Sequence, residues 1–267
     1  MAGAPSAFRS GAVPAIIGRG VFAAARGVGR ASLFATRGVA AALTPPWFPG
    51  QILRQVLAVG FFSLPVVGLT AVFTGAALAL NIFSGGERFN ADQVMPQIVA
   101  LGITRELGPV LAALMLAGRV SAAIAAEIGA MRATEQIDAM RTLSTDPFRY
   151  LIAPRLTAAL VVLPLLTLVA DIIGIAGGWL VATRVLAVDP TIYIRNTATF
   201  IQGWDVESGL IKAAVFGFIV ALMGCYHGYH AQGGARGVGR ATTNAVVTSA
   251  MLIFAADYLL TSLFTRP

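Results

Sequence analysis

The sequence predicts an all-α membrane protein in which about five spanning helices follow an N-terminal helix that lies in the membrane interface. Of its 267 residues, 57% are hydrophobic and 12% are charged, whereas roughly a quarter of the residues in a soluble domain are charged. The longest uncharged stretch covers residues 55–86 and exceeds the ~20 residues with which a helix crosses a bilayer core. So few charges cannot cover a core in water, which excludes a soluble fold.

The first element is a basic segment over residues 1–50, which contains five arginines and no acidic residue. Four of these arginines recur at steps of seven, four and seven, so they share one helical face; they are Arg19, Arg26, Arg30 and Arg37. A basic face opposite an apolar one is typical of an interfacial helix, and Pro45 and Pro46 would end it. For the first dozen residues, a disordered tail is the alternative.

Residues 51–267 form the predicted transmembrane unit. Its spans are expected at 55–83, 106–130, 151–183, 207–229 and 242–263, and the polar connections at 84–105, 131–150, 184–206 and 230–241. Asp146 and Pro147 predict the start of the third span, because an aspartate N-cap and a proline in the first turn both favour a helix start. Asp189 and Pro190 predict a short helix in the next connection in the same way.

The arginines predict that the N-terminus is cytoplasmic. With that orientation twelve arginines lie on the cytoplasmic side and four on the other, while Arg105, Arg119 and Lys212 lie in or at the edge of spans, which is a clear positive-inside bias. The net charge of +7 is then explained by cytoplasmic loops beside an anionic lipid surface. No nucleic-acid partner is expected.

Small residues recur at helical spacing on three of the predicted spans. They are Gly118, Ala122, Ala126 and Ala130 on the second span, Gly174 and Gly178 on the third, and Gly224 and Gly228 on the fourth. Such residues let helix backbones approach closely inside a membrane. The pattern predicts a tightly packed bundle or a dimer.

The residues offer no pattern for nucleotide, metal or covalent chemistry. Lys212 is the only lysine and does not stand in a P-loop, so the chain is predicted not to be an enzyme. The glycine-rich run 233–240 is interpreted as a flexible cytoplasmic turn. Cys225, His227 and His230 lie close together but lack a fourth ligand, so neither a metal site nor a catalytic residue is predicted.

Four ionisable residues fall inside the predicted spans, where charge is costly and often marks function. Arg119 and Glu127 share a face of the second span, Asp171 lies in the third and Asp257 in the fifth. From its depth, Asp257 is expected to meet Lys212 or Arg105. Both interpretations stay open: structural pairing that locks the bundle, or a functional site.

Residues 131–140 connect the second and third spans and predict a short cytoplasmic helix. Glu135 and Asp138 share one face, while Ile137 and Met140 offer apolar contact to a cytoplasmic partner. A solvated loop helix is the alternative.

Several motifs carry a resemblance to a known family. They are RELGPVLAALMLAGRVSAAIAAEIGAMRATEQIDAM (105–140), LIAPRL (151–156), LPLL (163–166), GGARGVGRATTNAVV (233–247) and DYLLT (257–261). With them the chain resembles the MlaE/YrbE permeases of MCE-associated ABC lipid transporters over about residues 45–267. The unbroken GITRELGPV and TEQIDAM motifs are most similar to the Gram-negative branch, so glycerophospholipid is the favoured substrate.

The resemblance implies an assembly in the bacterial inner membrane. Two copies of the permease would form its core, each docked on a cytoplasmic ABC ATPase, with an MCE-domain protein on the periplasmic side. ATP and Mg²⁺ would bind to the ATPase, so no cofactor is expected on this chain. Whether a small regulatory subunit joins the ATPase, the direction of transport and the number of MCE subunits are left open.

The resemblance also implies roles for particular residues. The coupling helix, at about 131–142, would contact the ATPase; the expected coupling residues are Glu127, Arg132, Glu135, Gln136 and Asp138. An outward-open cavity at the dimer centre would bind phospholipid; its expected lining is Phe73, Ala77, Leu78, Asn81, Arg105 and Glu106. Arg105 is expected to hold the lipid phosphate and Glu106 to hold Arg105.

Two other classes of function fit the residues. A secondary transporter would use Asp171, Asp257 and Glu127 as proton sites, although five spans without an inverted repeat are few for that class. A scaffold would anchor an MCE assembly without moving lipid.

Overall fold

The structure is a computed structural model that describes residues 12–86 and 91–264. Every regular element in these two ranges is helical. The helices are α1 (Ala12–Leu43), α2 (Pro49–Gly60), α3 (Leu64–Gly86), α4 (Ala91–Gly102), α5 (Gly108–Leu116), α6 (Ala122–Ala133), α7 (Gln136–Thr142), α8 (Ala153–Arg184), α9 (Pro190–Phe200), α10 (Gly203–Tyr229) and α11 (Gly234–Phe264). Three π-helical segments (Ile103–Leu107, Ala117–Ser121 and Phe148–Ile152) and a 3₁₀ turn (Phe61–Ser63) join some of them.

These helices make five stretches that are long and apolar enough to cross a membrane, as predicted. The spans are Pro49–Gly86, Gln93–Ala133, Phe148–Arg184, Gly203–Tyr229 and Gly234–Phe264. The third and fourth spans and the middle of the second are the most buried, whereas the first and fifth expose most of their apolar side chains. The chain is therefore a multi-pass membrane protein with spans two to four at its centre.

Two predicted connections are too long, because parts of them are helical. Residues 93–105 belong to the second span, and Met95 and Val99 within it are fully buried. The run 233–240 is not a flexible turn: α11 begins at Gly234, and its buried Gly237 and Ala241 pack inward. Only the start of that run turns, where Gly233 has a φ of +90° that favours glycine.

The predicted N-terminal helix is confirmed as an amphipathic helix. One stripe of α1 is buried against the start of the third span through Phe34, Gly38 and Ala41. Arg26, Arg30 and Arg37 are exposed. The side chain of Arg19 is outside the part of the chain that the structure describes. Residues 1–11 are outside it as well, so the alternative of a disordered tail stays a prediction. The division into units 1–50 and 51–267 stays a prediction.

The small residues bring helix backbones together inside this one chain. A Cβ added to Gly75 of α3 would collide with the backbone carbonyl of Gly174 on α8. Gly224 and Gly228 of α10 also pack against the second span, less tightly: a Cβ at either would lie 2.9 Å from a backbone carbonyl oxygen of that span. Gly118 differs, because nothing lies within 4 Å of a Cβ added there. Part of the predicted packing pattern thus stabilises the bundle itself.

Two aspartates start helices as predicted. Asp146 Oδ1 accepts a hydrogen bond from the Phe148 N–H at 2.9 Å. Asp189 Oδ1 accepts from the N–H groups of Thr191 and Ile192 at 2.7 and 3.1 Å, at the start of α9. The backbone N–H groups of Ile192 and then Thr191 lower the pKa of Asp189, because they stabilise its charged form.

Candidate functional site

A buried lysine joins three spans near one end of the bundle. Lys212 Nζ lies 2.9 Å from Glu106 Oε2, 3.1 Å from Asp257 Oδ1, 2.7 Å from Thr261 Oγ1 and 3.0 Å from the Arg105 carbonyl oxygen. Only 2% of the lysine side chain is exposed. We call Glu106, Lys212, Asp257 and Thr261 the lysine cluster. It confirms the predicted meeting of Asp257 with Lys212.

Local backbone geometry explains how Lys212 reaches its partners. Arg105 and Glu106 lie in the π-helical segment Ile103–Leu107, a local widening of the helix that is frequent at functional sites. Gly209, one turn before Lys212, lies against the Thr104 carbonyl, where any Cβ would collide. The glycine therefore lets α10 approach the π-helical segment closely enough for Lys212 to bond the Arg105 carbonyl.

Arg105 is held by a residue that the sequence analysis did not select. Its Nε and Nη2 lie 2.6 and 2.5 Å from Asp205 Oδ1. Asp205 is buried and also accepts a hydrogen bond from the Gln202 N–H at 2.8 Å, as part of a capping box. The expectation that Glu106 holds Arg105 is wrong, because Glu106 bonds Lys212 instead. The three-residue spacing from Gln202 to Asp205 is typical of a capping box, and this pattern could have indicated Asp205 from the sequence.

The cavity beside the lysine cluster is small. Arg105, Glu106, Lys212 and Trp204 help to line a volume of about 40 Å³, enough for ordered water but not for an acyl chain. Arg105 keeps 43% of its side chain exposed. A large ligand would therefore meet Arg105 from outside this chain's core.

The predicted lipid-binding residues of α3 form a separate surface. Phe73, Ala77 and Asn81 are exposed and recur every four residues, so they lie on one stripe. Leu78 instead faces inward, near Gly102. The lining of the cavity beside the lysine cluster includes none of these stripe residues.

The connection between the second and third spans contains the predicted short helix, but its start differs. Helix α7 begins at Gln136, after Glu135, whose φ of +58° breaks the helix. Arg132 Nη1 lies 2.7 Å from Asp138 Oδ1, which is also 3.4 Å from Arg141 Nη1. The Arg132–Asp138 pair fixes α7 to the end of the second span, whereas Arg141 and Asp138 pair within α7 itself.

The apolar contact predicted for this helix is only partly free. Ile137 is fully buried in the chain's own core, so its predicted contact with a partner is wrong. Met140 packs against that core but stays partly exposed, so its contact with a partner stays a prediction. Glu135 and Gln136 are exposed. Leu143, just after α7, is 78% exposed and was not selected from the sequence. The available surface is thus Glu135, Gln136 and Leu143.

Glu127, predicted as a coupling residue, lies on α6 rather than on α7, and 57% of its side chain is exposed. Its Oε2 is 2.7 Å from Nη2 of Arg155, whose side chain is only 4% exposed. Arg119 donates instead to Ser63 Oγ at 2.6 Å. Arg119 and Glu127 therefore do not pair with each other, although both line a cavity of about 290 Å³ beside α2.

Asp171 is buried where α8 meets Gly108. Its Oδ1 has no hydrogen-bond partner among the described residues. Cys225, His227 and His230 do not converge: Cys225 is buried, His227 contacts Thr248, and His230 bonds the Tyr226 carbonyl. The described residues contain no group of three His, Cys, Asp or Glu side chains that could hold a metal ion.

Comparison with known proteins identifies the family. The family model described as "Permease MlaE" matches residues 52–263. The chain belongs to the MlaE permease family. A "Probable ABC transporter permease protein" of Rickettsia felis is 50% identical over 94% of this chain and 96% of its own length.

Two other proteins similar to this chain have names that mention lipids. The "Intermembrane phospholipid transport system permease protein MlaE" of Haemophilus influenzae is 34% identical over 79% of this chain and 82% of its own length. The chloroplastic protein "TRIGALACTOSYLDIACYLGLYCEROL 1" of Arabidopsis thaliana is 38% identical over 79% of this chain and 61% of its own length.

This family member has two features at opposite ends of its bundle. One end carries Arg105 and the lysine cluster. The other, which we call the basic end, is formed by α7, the start of the third span, the end of α10 and the C-terminal half of α1. The second span runs from one end to the other and so connects them.

Proposed function

We propose that this chain is the membrane subunit of an ABC transporter that moves phospholipid, and that a separate ATPase drives it. The observation that carries the proposal is the lysine cluster beside Arg105, joined by the second span to α7 at the basic end. Membership of the MlaE permease family and the phospholipid named for the Haemophilus relative support the same substrate.

Arg105 is the group that we assign to the lipid phosphate. A guanidinium binds phosphate through paired hydrogen bonds, and Asp205 orients this one while leaving 43% of its side chain exposed. The exposed stripe with Phe73, Ala77 and Asn81 would contact the lipid, with Phe73 and Ala77 against its acyl chains. Leu78 supports that stripe from within.

A second copy of the chain would complete the cavity. The first and fifth spans leave large apolar side chains uncovered; among them are Leu69, Phe73, Met251 and Phe254. Contiguous exposed apolar surface of this kind marks contact with lipid or protein. In a homodimer, two α3 stripes would face each other and enclose more volume than the 40 Å³ beside Arg105.

The coupling helix α7 would transmit force from the ATPase. Glu135, Gln136 and Leu143 form the surface for that contact, and ATP and Mg²⁺ would stay on the ATPase. The buried Ile137 and the Arg132–Asp138 pair fix α7 to the bundle. Movement of α7 would therefore displace the second span as a rigid body.

The arginine distribution supports an inner-membrane orientation in which the basic end is cytoplasmic. The described side chains of Arg30, Arg37, Arg141 and Arg149 belong to that end, and Arg132 at the end of the second span adjoins it, in agreement with the positive-inside rule. The lysine cluster would then face the periplasm, where an MCE-domain protein would exchange lipid with it.

The first experiment is native mass spectrometry of the chain purified in mild detergent with its co-expressed operon neighbours. We expect two permease copies, an ATPase, an MCE protein and bound phospholipid in one particle. A lone monomer without an ATPase would overturn the proposal.

Lipid transfer in proteoliposomes tests the coupling surface and separates transport from anchoring. Glu135→Lys should reduce ATP-dependent transfer at least tenfold, because it reverses a charge at the proposed ATPase contact. Glu207→Lys reverses an exposed charge at the other end and serves as the control. Full transfer by the Glu135 variant would favour the scaffold instead.

One observation favours a proton-coupled transporter as a second candidate: Asp171 is buried and its Oδ1 has no described partner. An ATPase partner with its P-loop lysine replaced distinguishes the two. Transfer should stop if ATP drives it, and should continue with a pH gradient if protons do.

A further inference from the structure

A second pocket lies at the basic end, far from Arg105. It has a volume of about 200 Å³ and opens between α1, α7, the start of the third span and the end of α10. Its basic groups are Arg30, Arg37, Arg141 and His230. No acidic side chain is among the described residues that line it.

The charges in this pocket are largely uncompensated. Arg30 and Arg37 form no hydrogen bond or ion pair with the described part of the chain. Arg141 lies 3.4 Å from Asp138, but that carboxylate already has Arg132 at 2.7 Å. Two guanidinium groups without a carboxylate partner, and a third that shares one, indicate a site for an anion around this cavity.

The floor of the pocket is aromatic and fixed in place. Phe34, buried between the turns that carry Arg30 and Arg37, lies 5.1 Å from the Phe148 ring and 5.6 Å from the Tyr229 ring. The Tyr229 hydroxyl accepts a hydrogen bond from Arg141, so its own proton remains available to a ligand oxygen. The packed rings of Phe34, Phe148 and Tyr229 thus form a rigid floor beneath the arginine side chains.

The surroundings of the pocket favour an amphiphile over a free ion. Leu33 lines the pocket and is 66% exposed. Phe22 and Leu43 on the same helix are also exposed. An amphipathic helix with such side chains lies at the depth of lipid headgroups. An anion bound beside it would have acyl chains next to this apolar surface.

We propose that this pocket binds the headgroup phosphate of an anionic lipid from the leaflet at the basic end. Arg30 and Arg37 clamp the phosphate, and Arg141 and the Tyr229 hydroxyl complete the donor set. The lipid ties α1 to α7 at the coupling helix. This site is separate from the Arg105 site, so it does not depend on the proposed transport function.

Binding of a short-chain phosphatidylglycerol to the purified full complex, counted by native mass spectrometry, tests the proposal. The double variant Arg30→Gln/Arg37→Gln should bind it about tenfold more weakly, because two charge-assisted contacts are lost. The control is Arg26→Gln, an exposed arginine on the same helix that does not line the pocket. Arg30→Lys/Arg37→Lys should recover part of the affinity, since lysine keeps the positive charge but cannot form the paired hydrogen bonds of a guanidinium.

Two parallel titrations distinguish the source of the phosphate and the nature of the attraction. Phosphatidylcholine should bind at least tenfold more weakly than phosphatidylglycerol, and inorganic phosphate should not compete at equal concentration. The proposal is overturned if phosphate alone binds as well as the lipid, or if Arg26→Gln lowers binding as much as the double variant. In an Arg105→Ala background the double variant should still lower binding by the same factor, which separates this site from the transported lipid.

Discussion

At the scale of single residues, the ammonium group of Lys212 is surrounded by oxygen atoms from three spans. Together with Arg105 it contributes two positive charges opposite three carboxylates, those of Glu106, Asp205 and Asp257. Charges at this depth are stable only when they are paired. The network therefore depends on each partner, and loss of the lysine leaves two carboxylates facing each other.

Replacement of Lys212 should destabilise the bundle severely. Lys212→Met removes one partner of a buried ion pair, which costs about 3–5 kcal/mol. Thermal unfolding in detergent should show a Tm lower by about 6 °C or more. The triple variant that adds Glu106→Gln and Asp257→Asn should recover most of this loss. An unchanged Tm for the single variant would contradict the role of the network.

Replacement of Arg105 should affect lipid rather than stability. Arg105→Ala should reduce co-purified phospholipid about fivefold to tenfold, because the exposed part of the guanidinium no longer meets the phosphate. The assembly itself should stay intact. Arg195→Ala, an exposed arginine on α9, is the control, and lipid extraction with phosphate analysis is the measurement. Wild-type lipid levels in the Arg105 variant would exclude its assigned role.

At the scale of the elements, the packing of α3 on α8 depends on the absence of a side chain at Gly75. Gly75→Ala inserts a methyl group into the Gly174 carbonyl and should cost at least about 3 kcal/mol through forced separation of the helices. Gly118→Ala meets open space and should stay within about 0.5 kcal/mol of wild type. The free energy of unfolding of the two variants is compared in detergent by fluorescence. Equal stability of the two would refute the packing argument.

Helix starts could be predicted from neighbouring residues in the sequence. Contacts between residues far apart in the sequence could be predicted only in part. Asp146 and Asp189 bond N–H groups two or three residues away, so their caps could be inferred from adjacent residues alone. The Arg105–Asp205 pair joins residues 100 positions apart, and its geometry depends on a π-helical segment that no 3.6-residue period indicates. Ile137 was assigned to a partner surface because the sequence does not show which face of a seven-residue helix meets the bundle.

At the scale of the whole molecule, the orientation of the chain in the membrane can be tested by labelling introduced cysteines. Cys225 is the only cysteine and is buried, so it should give little background with a membrane-impermeant maleimide. Glu135→Cys should be labelled in inverted vesicles and protected in spheroplasts, and Arg195→Cys should show the reverse. Labelling of both sites from one side would contradict the five-span topology.

The π-helical segments also change how the second span is compared with any other sequence. Each one carries roughly one residue more per turn than an α-helix, which rotates the following residues by roughly 100°. Two lie within this span, at Ile103–Leu107 and Ala117–Ser121. A helical wheel drawn through all of it is out of phase by roughly 200° at its far end. We therefore expect residues near 99 and 128, which such a wheel places together, to be offset by roughly 200° around the helix axis.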